Sequence, residues 1–386
     1  MAGIDLSPDR NGGNRMSVKR EALSVPNSRP SHTVIIVIKG EITMETNSYS
    51  SVPLNQSAVA TAVKRSSFIR RHKMFLIILL SALLLLFSLT MAFHAFVAYT
   101  LARPHIDPLR SNPAAAFGAA YENIQFPSVT GSSTLSGWYI PASTAAVLPG
   151  KEQQTIVFSH GYGGNREEIW VPIYDLAKAA NQMGFNVVMF DYGYVQPQWN
   201  LTGGLRESEE LLGAVKYAKD RGAKKVFVWG FSMGAGTALQ AALQTRDIDG
   251  MILDSTFVLE PDTLYHNMKQ EAKLPEFSQP LVHMFFPLIN GVSFKQIPYQ
   301  TVKETQYSMP IFFIHGKQDL KAPYDMAESI FAHQKADSGS QLWLLENDGH
   351  ELIYRAHKKS YLQLTTGFLK TLSEAPPKPI KYSGAR

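Results

Sequence analysis

The stretch that most constrains the fold is Lys225–Thr237, which reads KVFVWGFSMGAGT. Its four consecutive apolar residues, 226–229, indicate a strand buried on both faces, and residues 237–245 indicate a helix. Between them lies GFSMG, a Gly-x-Ser-x-Gly pattern at a strand-to-helix junction. Glycines at such a junction permit a sharp turn that leaves a serine hydroxyl exposed. The pattern therefore predicts that Ser232 is a nucleophile, and the alternative is a tight glycine-rich turn without chemistry.

The chain after residue 120 alternates between strand and helix patterns. Residues 121–126 and 136–140 flank a turn-rich segment and predict a β-hairpin. Further strands are predicted at residues 155–159, 186–190, 226–229, 250–253, 311–314 and 342–345. Helices are predicted at residues 166–183, 206–221, 237–245, 325–333 and 351–372. Such alternation calls for a parallel sheet with helices on both faces, so we predict an α/β fold with a mostly parallel, doubly wound sheet.

Two further residues are candidates for the groups that a serine nucleophile needs. The hydroxyl requires a base, and the base requires an orienting group. Because loops at the carboxyl ends of strands meet at one edge of a doubly wound sheet, residues just after strands are of first interest. Asp319 follows the strand at residues 311–314, and His350 follows the strand at residues 342–345. The order Ser232, Asp319, His350 is that of hydrolases with this serine turn, which predicts His350 as base and Asp319 as its orienting group.

Other polar residues near strand ends have simpler interpretations. Asp254 also ends a strand and is the alternative triad acid, although a residue in that place is more often structural. Asp191 and Asp348 are interpreted as residues that shape their loops. His160 and His315 each precede a glycine, and we expect them to orient backbone turns.

No metal, nucleotide or redox cofactor is predicted. A His-Glu-x-x-His pattern begins at His350, but residue 354 is tyrosine, so no zinc-protease helix is present. The chain has no cysteine, which excludes disulfides and thiolate metal sites. The net charge of +5 comes from residues 1–73, where eleven Lys and Arg face five Asp and Glu. The remainder is nearly neutral, so no nucleic-acid surface is predicted.

Six motifs together resemble the α/β-hydrolase superfamily, specifically its membrane-anchored bacterial branch near the serine-aminopeptidase-like and prolyl-oligopeptidase-like hydrolases. The motifs are FSHGYGGN (158–165), FDYGY (190–194), GFSMG (230–234), LDSTF (253–257), HGKQD (315–319) and DGH (348–350). The resemblance covers about residues 121–372. It implies a hydrolase fold, serine hydrolase activity, and an oxyanion hole formed by the backbone N–H groups of Tyr162 and Met233. Relatives often have Asp-Tyr-Arg-Gly where this chain has Asp-Tyr-Gly-Tyr, which puts the local packing of that loop in question.

An uncharged apolar segment occupies residues 74–101. It is long enough to cross about 30 Å of hydrocarbon at about 1.5 Å per residue. Five basic residues lie between positions 64 and 73, and only Arg103 and Arg110 follow closely. The positive-inside rule then predicts a transmembrane signal anchor, with the N-terminus in the cytoplasm and the main domain outside. A cleaved signal peptide and a buried core helix are the alternatives.

The remaining segments complete the domain layout. Residues 1–73, with a short apolar stretch at 34–38, are predicted to be a mostly disordered, basic cytoplasmic arm. Residues 102–120 form a connector, residues 121–374 the hydrolase domain, and residues 375–386 a frayed tail. Within the domain, residues 255–308 are too long for a plain connection and predict a cap with helices at 263–273 and 279–289. Its apolar residues suit an acyl or aromatic substrate portion, or they only pack the cap onto the sheet.

Three hypotheses about function follow. The first is a membrane-anchored, extracytoplasmic serine hydrolase that cleaves carboxylic esters through an acyl-enzyme. The second is an aminopeptidase or amidase that uses the same residues, since nothing in the sequence separates ester from amide substrates. The third is a catalytically silent hydrolase fold that serves as a binding module. The predicted partners are a small ester or peptide substrate and a lipid bilayer around residues 74–101.

Overall fold

A strand of seven residues, Lys225–Phe231, lies near the centre of the sheet on which the fold is built. The structure is a computed structural model that describes residues 56–143, 153–168, 170–271, 273–350 and 353–375. The apolar stretch at residues 34–38 and the tail beyond residue 375 lie outside the described residues. The chain divides into two units, residues 1–75 and residues 76–386, and the sheet belongs to the second.

The described part of the second unit contains one eight-stranded sheet. Its strands are β1 (Glu122–Pro127), β2 (Thr134–Ile140), β3 (Gln154–Ser159), β4 (Asn186–Phe190), β5 (Lys225–Phe231), β6 (Gly250–Asp254), β7 (Ile311–Gly316) and β8 (Gln341–Leu345). Their order across the sheet is β1-β2-β4-β3-β5-β6-β7-β8. The β1–β2 and β2–β4 pairs are antiparallel and the other five pairs are parallel. The predicted hairpin and the mostly parallel sheet are therefore confirmed.

The register of the central strands brings their carboxyl ends level. Ser159 at the end of β3 pairs with Gly230 of β5, and Phe231 pairs with Asp254 at the end of β6. Asp254 in turn pairs with Ile314 of β7. The loops that follow these strands therefore open at one edge of the sheet, as the doubly wound topology requires.

Helices cover both faces of the sheet. The described helices are α1 (Gln56–Ala102), α2 (Pro113–Phe117), α3 (Ile173–Gln182), α4 (Leu205–Asp220), α5 (Met233–Ala242), α6 (Pro261–Glu271), α7 (Ser278–Asn290), α8 (Tyr299–Glu304), α9 (Tyr324–Ala332) and α10 (Ile353–Glu374). One core cluster joins one sheet face to α4, α5 and α9, and another joins the opposite face to α3 and α10. Since both faces are buried, β5 is a continuous apolar run rather than an alternating one.

The helix predicted at residues 166–183 is shorter than expected, because α3 begins only at Ile173. Pro172 has no backbone N–H and disfavours helical geometry at the residue before it. The preceding carboxylates are also engaged elsewhere. Glu167 accepts a hydrogen bond from the backbone of Arg110, and Glu168 accepts one from the backbone of Gly161. The described residues before α3, 166–168 and 170–171, are therefore not helical.

The region between β6 and β7 contains the two predicted cap helices with slightly shifted ends. They are α6, predicted at residues 263–273, and α7, predicted at residues 279–289. A third short helix, α8, was not predicted. The cap has its own apolar cluster, in which Leu264 of α6 and both Val282 and Phe286 of α7 are buried.

The first helix extends further toward the N-terminus than the sequence predicts. Residues 56–73, assigned to the disordered arm, are helical as the beginning of α1. These residues contain neither glycine nor proline and are rich in residues that tolerate helix interiors, which accounts for the difference. From Arg70 to Ala102 the helix is long and apolar enough to cross a membrane, with a mean hydropathy of 2.7 in its most apolar window.

The last turns of α1 belong to the folded body of the protein. His94, Ala98 and Ala102 recur every four residues on one helix face and are all buried. Ala98 belongs to the apolar cluster of the cap, and Val97 and Leu101 pack against it. The Ala102 carbonyl also accepts a hydrogen bond from the backbone of Leu201. The end of α1 and the cap therefore share one hydrophobic core.

Gly234 marks a close approach of α5 to the end of β3. A Cβ atom there would lie 2.2 Å from the Ser159 carbonyl oxygen and 2.5 Å from that of His160. Because both neighbours are backbone atoms, we expect Gly234→Ala to lower the free energy of unfolding by about 3 kcal/mol. Gly367→Ala in α10 is the control, since a Cβ there meets no atom within 4 Å. We expect no loss, or a gain of up to about 1 kcal/mol. Equal losses in thermal unfolding of the detergent-solubilised variants would contradict this.

Candidate active site

Ser232 lies at the junction between β5 and α5, in a conformation that few side chains adopt. Its backbone angles are φ 51° and ψ −119°. A positive φ is uncommon outside glycine and costs about 1–3 kcal/mol, so it persists only where the surroundings hold it. Here the Ser232 N–H donates to the carbonyl of Asp254, and the Ser232 carbonyl accepts from Phe257. The turn is therefore held on both sides by the end of β6 and the loop after it.

His350 lies beside Ser232, in the loop that follows β8. Its Nε2 atom is 2.9 Å from the Ser232 Oγ atom, and its Nδ1 atom is 2.7 Å from the Asp319 Oδ2 atom. An ionised carboxylate only accepts hydrogen bonds, so Nδ1 donates and Nε2 is left to accept from the serine hydroxyl. The structure thus brings together the three residues that the sequence analysis selected.

Asp319 is buried and accepts hydrogen bonds on both oxygens. Oδ1 accepts from the backbone N–H groups of Lys321 and Ala322, at 2.8 Å each. Oδ2 accepts from His350 and lies 3.1 Å from the Nε2 atom of His315. Burial acts to raise the pKa of Asp319, but the hydrogen bonds from His315 and His350 outweigh it and hold the pKa well below its ordinary value. The carboxylate is therefore ionised throughout the neutral range.

His315 was expected only to orient a backbone turn, but its side chain also contacts the Asp319 carboxylate. Its side chain is fully buried and contacts Oδ2 of Asp319, the same oxygen that His350 contacts. Its Nε2 atom also lies 2.9 Å from the Ala322 carbonyl oxygen. The signal was present in the sequence, because His315 and Asp319 are four residues apart in one motif, but the pattern alone does not show that the ring faces the carboxylate.

Asp254, the alternative triad acid, contacts other groups. Its Oδ2 atom accepts a hydrogen bond from the Tyr361 hydroxyl at 2.8 Å, and its Oδ1 atom accepts one from the Ser255 hydroxyl at 2.9 Å. Burial raises the pKa of Asp254 above its ordinary value, and these hydrogen bonds oppose that shift only in part. The two carboxyl groups near the serine therefore differ in kind, since Asp319 is stabilised as an anion and Asp254 is not.

The turn after β3, residues 160–164, carries the predicted oxyanion donor Tyr162. His160 is buried, its Nδ1 atom lies 3.0 Å from the Gly161 carbonyl, and its Nε2 atom accepts from the backbone N–H of Tyr192. Burial lowers the pKa of His160 to about 4, so the ring is neutral. The Tyr194 hydroxyl also donates to the Gly161 carbonyl, at 2.8 Å. These contacts confirm the expectation that His160 orients a backbone turn.

The second predicted donor, the N–H of Met233, is the first amide of α5. The first four N–H groups of a helix have no acceptor within the helix, and the helix dipole favours negative charge at that end. Met233 directly follows Ser232, so this amide is next to the serine hydroxyl in the chain. The arrangement offers a partial positive charge where an oxyanion would develop.

Glu168 supports the turn at residues 160–164 from inside the protein. It is buried, and its carboxylate accepts hydrogen bonds from the backbone N–H groups of Gly161 and Trp170. It also fills the space beside Gly164, where a Cβ atom would lie 2.9 Å from Glu168 Oε2. Burial raises the pKa of Glu168 to about 7. Nothing in the local sequence distinguishes Glu168 from a surface glutamate, so its position could not be predicted.

The loop after β4 is tied to neighbouring segments through Asp191 and Gly193. Asp191 is paired with Arg166, which donates from Nη2 at 2.6 Å and also from its backbone N–H. Gly193 lies two residues further along the chain. A Cβ atom at Gly193 would lie 2.4 Å from Glu210 Oε1, and the Gly193 N–H donates to the same carboxylate. The buried Glu210 therefore occupies the space beside this position.

Among the described residues there is no group of three or more His, Cys, Asp or Glu side chains placed to hold a metal ion. The residues around Ser232 offer a base, a buried anion and backbone donors. What this set can perform without further groups is nucleophilic attack by a hydroxyl and transfer of its proton.

The pH dependence of stability tests the environment of Glu168. A raised pKa means that the folded state binds the proton more tightly, so stability falls as pH rises from the ordinary value of 4.5 to about 7. Glu168→Gln removes this titration. We therefore expect the variant to gain about 3 kcal/mol relative to wild type between pH 5 and pH 8, measured by unfolding at both pH values. Glu210 titrates in both proteins and cancels in the difference. A difference independent of pH would contradict the assignment.

A sequence model of the alpha/beta hydrolase fold matches residues 154–286. The chain is 24% identical over 222 residues to lysophosphatidylserine lipase ABHD12 of Danio rerio, which covers 52% of this chain and 54% of that protein. It is 26% identical over 220 residues to YfhR of Escherichia coli O157:H7, which covers 55% of this chain and 68% of that protein. The chain thus spans about half the length of ABHD12.

A solved structure has a similar fold. The Pyrococcus furiosus esterase Pf2001 superimposes with a TM-score of 0.57 at 23% identity, which covers 71% of this chain and 98% of that one. The relatives include both vertebrate and bacterial proteins, so assignment to a membrane-anchored bacterial branch stays a prediction. The sheet order, the serine turn, the sequence model and the structural similarity agree that the chain has the alpha/beta hydrolase fold.

Proposed function

We propose that the protein is a membrane-anchored serine hydrolase that cleaves carboxylic esters through an acyl-enzyme. The proposal rests on one observation, the unbroken chain of contacts from the Ser232 hydroxyl through His350 to the buried carboxylate of Asp319. Hydrogen-bonded contacts in this order are what an activated serine requires. Ser232 is the proposed nucleophile, His350 the general base, and Asp319 the residue that fixes the imidazole tautomer.

In the acylation step, Oγ of Ser232 attacks the ester carbonyl carbon while its proton passes to Nε2 of His350. The carbonyl oxygen becomes an oxyanion, for which the proposed donors are the N–H groups of Met233 and Tyr162. Collapse of this intermediate breaks the bond to the alcohol oxygen, which takes the proton from His350 and leaves. A water molecule then repeats the sequence on the acyl-serine and releases the carboxylic acid.

The electrostatics of the buried carboxylates support these roles. The depressed pKa of Asp319, caused by hydrogen bonds from two histidines, keeps a negative charge beside the His350 ring. That charge stabilises the imidazolium that forms when His350 takes the serine proton. The raised pKa of the buried Asp254 leaves it unsuited to the same task. In active sites, two carboxyl groups whose pKa values are shifted in opposite directions typically have different roles.

Ester cleavage is favoured over amide cleavage by the relatives. ABHD12 is named a lipase and Pf2001 an esterase, and both names refer to ester substrates. The cap agrees with an apolar acyl group, because Phe257, whose backbone N–H donates to the Ser232 carbonyl, packs against the apolar cluster of the cap. Asn267 of α6 donates to the carbonyl of Lys321, which directly ties the cap to the Asp319 loop.

Anchoring by α1 completes the proposal. The helix is exposed and apolar from Met74 to Leu89, and basic residues precede it. By the positive-inside rule the N-terminus is cytoplasmic and the hydrolase domain extracytoplasmic. Tyr162, the proposed oxyanion residue, donates its hydroxyl to the carbonyl of Leu101 at 3.2 Å. The proposed site therefore lies next to the end of the membrane anchor.

Labelling of intact cells with a membrane-impermeant fluorophosphonate probe tests nucleophile and sidedness together. We expect one labelled protein, no labelling in Ser232→Ala, and unchanged labelling in Ser132→Ala, an exposed serine on a surface turn. Loss of hydrolysis of short p-nitrophenyl esters should accompany loss of labelling.

The outcomes separate the parts of the proposal. Labelling that appears only after lysis would place the hydrolase domain in the cytoplasm, and Ser232 would remain the proposed nucleophile. Labelling that persists in Ser232→Ala would show that Ser232 is not the nucleophile. A folded wild-type protein that the probe never labels would indicate a catalytically silent fold.

Two matched substitutions distinguish the candidate acids. We expect Asp319→Asn to lower kcat by about 10⁴, because the amide no longer holds His350 in the required tautomer. Asp254→Asn should change kcat by only a few-fold, since an amide still accepts from Tyr361 and resembles the neutral acid that burial favours. The measurement is kcat on a soluble ester at pH 8. A large loss in Asp254→Asn together with a small one in Asp319→Asn would reverse the assignment.

A further inference from the structure

The cap helix α7 presents apolar residues on two opposite faces. Ser278, Val282, Phe286 and Asn290 recur every four residues and are buried. On the other side, Phe277 immediately before the helix, Met284 and Leu288 are 67%, 47% and 74% exposed. The helix contains no Asp, Glu, Lys or Arg.

We name the exposed side the outer stripe, defined as Phe277, Leu281, Met284 and Leu288. Positions separated by four, seven and eleven residues fall on one side of a helix. An apolar helix that carries no charge is usually buried in a core or placed in a membrane. Because the inward side of α7 already fills the core of the cap, the outer stripe needs a different apolar environment. Exposed apolar patches with this form are typical of surfaces that meet another apolar phase.

The position of α7 beside α1 identifies that phase. Ala98 of α1 and Phe286 of α7 belong to the same apolar cluster. The two helices also end side by side, because Asn200 donates to the carbonyl of Ile289 in α7 while Leu201 donates to the carbonyl of Ala102 in α1. The cap helix therefore stands at the level of the last turns of α1.

The length of α1 places this level at the edge of a bilayer. The fully exposed apolar part, residues 74–89, is about 24 Å long at about 1.5 Å per residue. A hydrocarbon core is about 30 Å thick, so a core that begins at residue 74 extends along the helix to about Phe93. Beyond that point Phe93, Phe96 and Tyr99 keep an exposed side, at 50%, 62% and 46%, which suits the interfacial belt where aromatic residues gather. The buried positions His94 and Ala98 lie at this same level.

We propose that the outer stripe of α7 is inserted in the interface of the bilayer that α1 crosses, so that the cap rests on phospholipid. This inference rests on the proposed membrane span of α1. The cap then adjoins the lipid phase, and an ester dissolved in the bilayer reaches the cap without crossing water. Amphipathic helices bind at this depth through the area of their apolar face.

Single cysteines test the proposal without background, because the natural chain has none. The full-length protein is reconstituted in phosphatidylcholine vesicles with Met284→Cys or Leu288→Cys, each labelled with an environment-sensitive fluorophore. Nitroxide lipids with the quencher near the headgroup are then added. We expect blue-shifted emission and strong quenching at both positions. Leu84→Cys in α1, 63% exposed, is the positive control with a deep quencher, and Leu364→Cys, an exposed leucine on α10, is the negative control.

The controls separate failure of this inference from failure of the anchor. Quenching at positions 84, 284 and 288 but not at 364 supports the proposal. Quenching at position 84 alone overturns it and leaves the anchor in place. Absence of quenching at position 84 would show that α1 does not span the membrane, and it would overturn this inference as well. Energy transfer between two labelled copies, without lipid quenching at 284 or 288, assigns the outer stripe to a second copy of the chain and overturns the proposal.

Activity gives an independent readout. The double variant Met284→Asp with Leu288→Asp should reduce hydrolysis of a long-chain ester in vesicles by about tenfold, mainly through KM, because charges at the interface oppose insertion. Hydrolysis of a short water-soluble ester should be unchanged, and Leu364→Asp should alter neither rate. Equal loss on both substrates would show a structural effect on the cap and would overturn the proposal.

Discussion

The close approach of α5 to the end of β3 is the constraint on which the rest of the site depends. Gly234 leaves room for the backbone of β3, and the Ser159 hydroxyl donates to the Gly234 carbonyl at 2.8 Å. With strand and helix fixed this tightly, the residue between them has little choice of backbone angles. Ser232 therefore keeps its strained positive φ, and its side chain stays at the edge where β7 and β8 deliver Asp319 and His350. Strain of this kind is typical of functional positions that a rigid core over-determines.

Three buried carboxyl groups surround this edge, and their partners make them different. Asp319 receives two backbone amides and two histidines, and its pKa falls. Asp254 receives two hydroxyl groups, and burial raises its pKa. Glu168 receives two backbone amides in a fully buried place, and its pKa rises to about 7. Among these three groups, the hydrogen bonds outweigh the effect of burial only at Asp319, so Asp319 is the one whose pKa is lowered.

Much of the fold and of the candidate site can be predicted from the sequence. Strands such as Lys225–Phe231 are buried on both faces and carry a strong local signal, and parallel topology then brings the ends of β5, β7 and β8 together. What escaped prediction depends on distant partners. Glu168 is distinguished by its contacts with the backbone of Gly161 and Trp170, and the contact of His315 with Asp319 depends on ring orientation. The helix predicted to begin at residue 166 begins only at Ile173, and Pro172 is the local sequence signal for that later start.

The shared core of α1 and the cap bears on whether the apolar segment is cleaved as a signal peptide. Ala98 and Ala102 are fully buried, and Ala98 packs in the cluster that holds α6 and α7 in place. Cleavage near Ala98 would remove apolar surface from that core and leave the carbonyls that bind Tyr162 and Leu201 on a new, short chain end. A signal peptide that is cleaved off is not expected to supply residues to the hydrophobic core of the mature protein. The packing therefore favours an uncleaved anchor, and it makes the last turns of α1 part of the hydrolase unit.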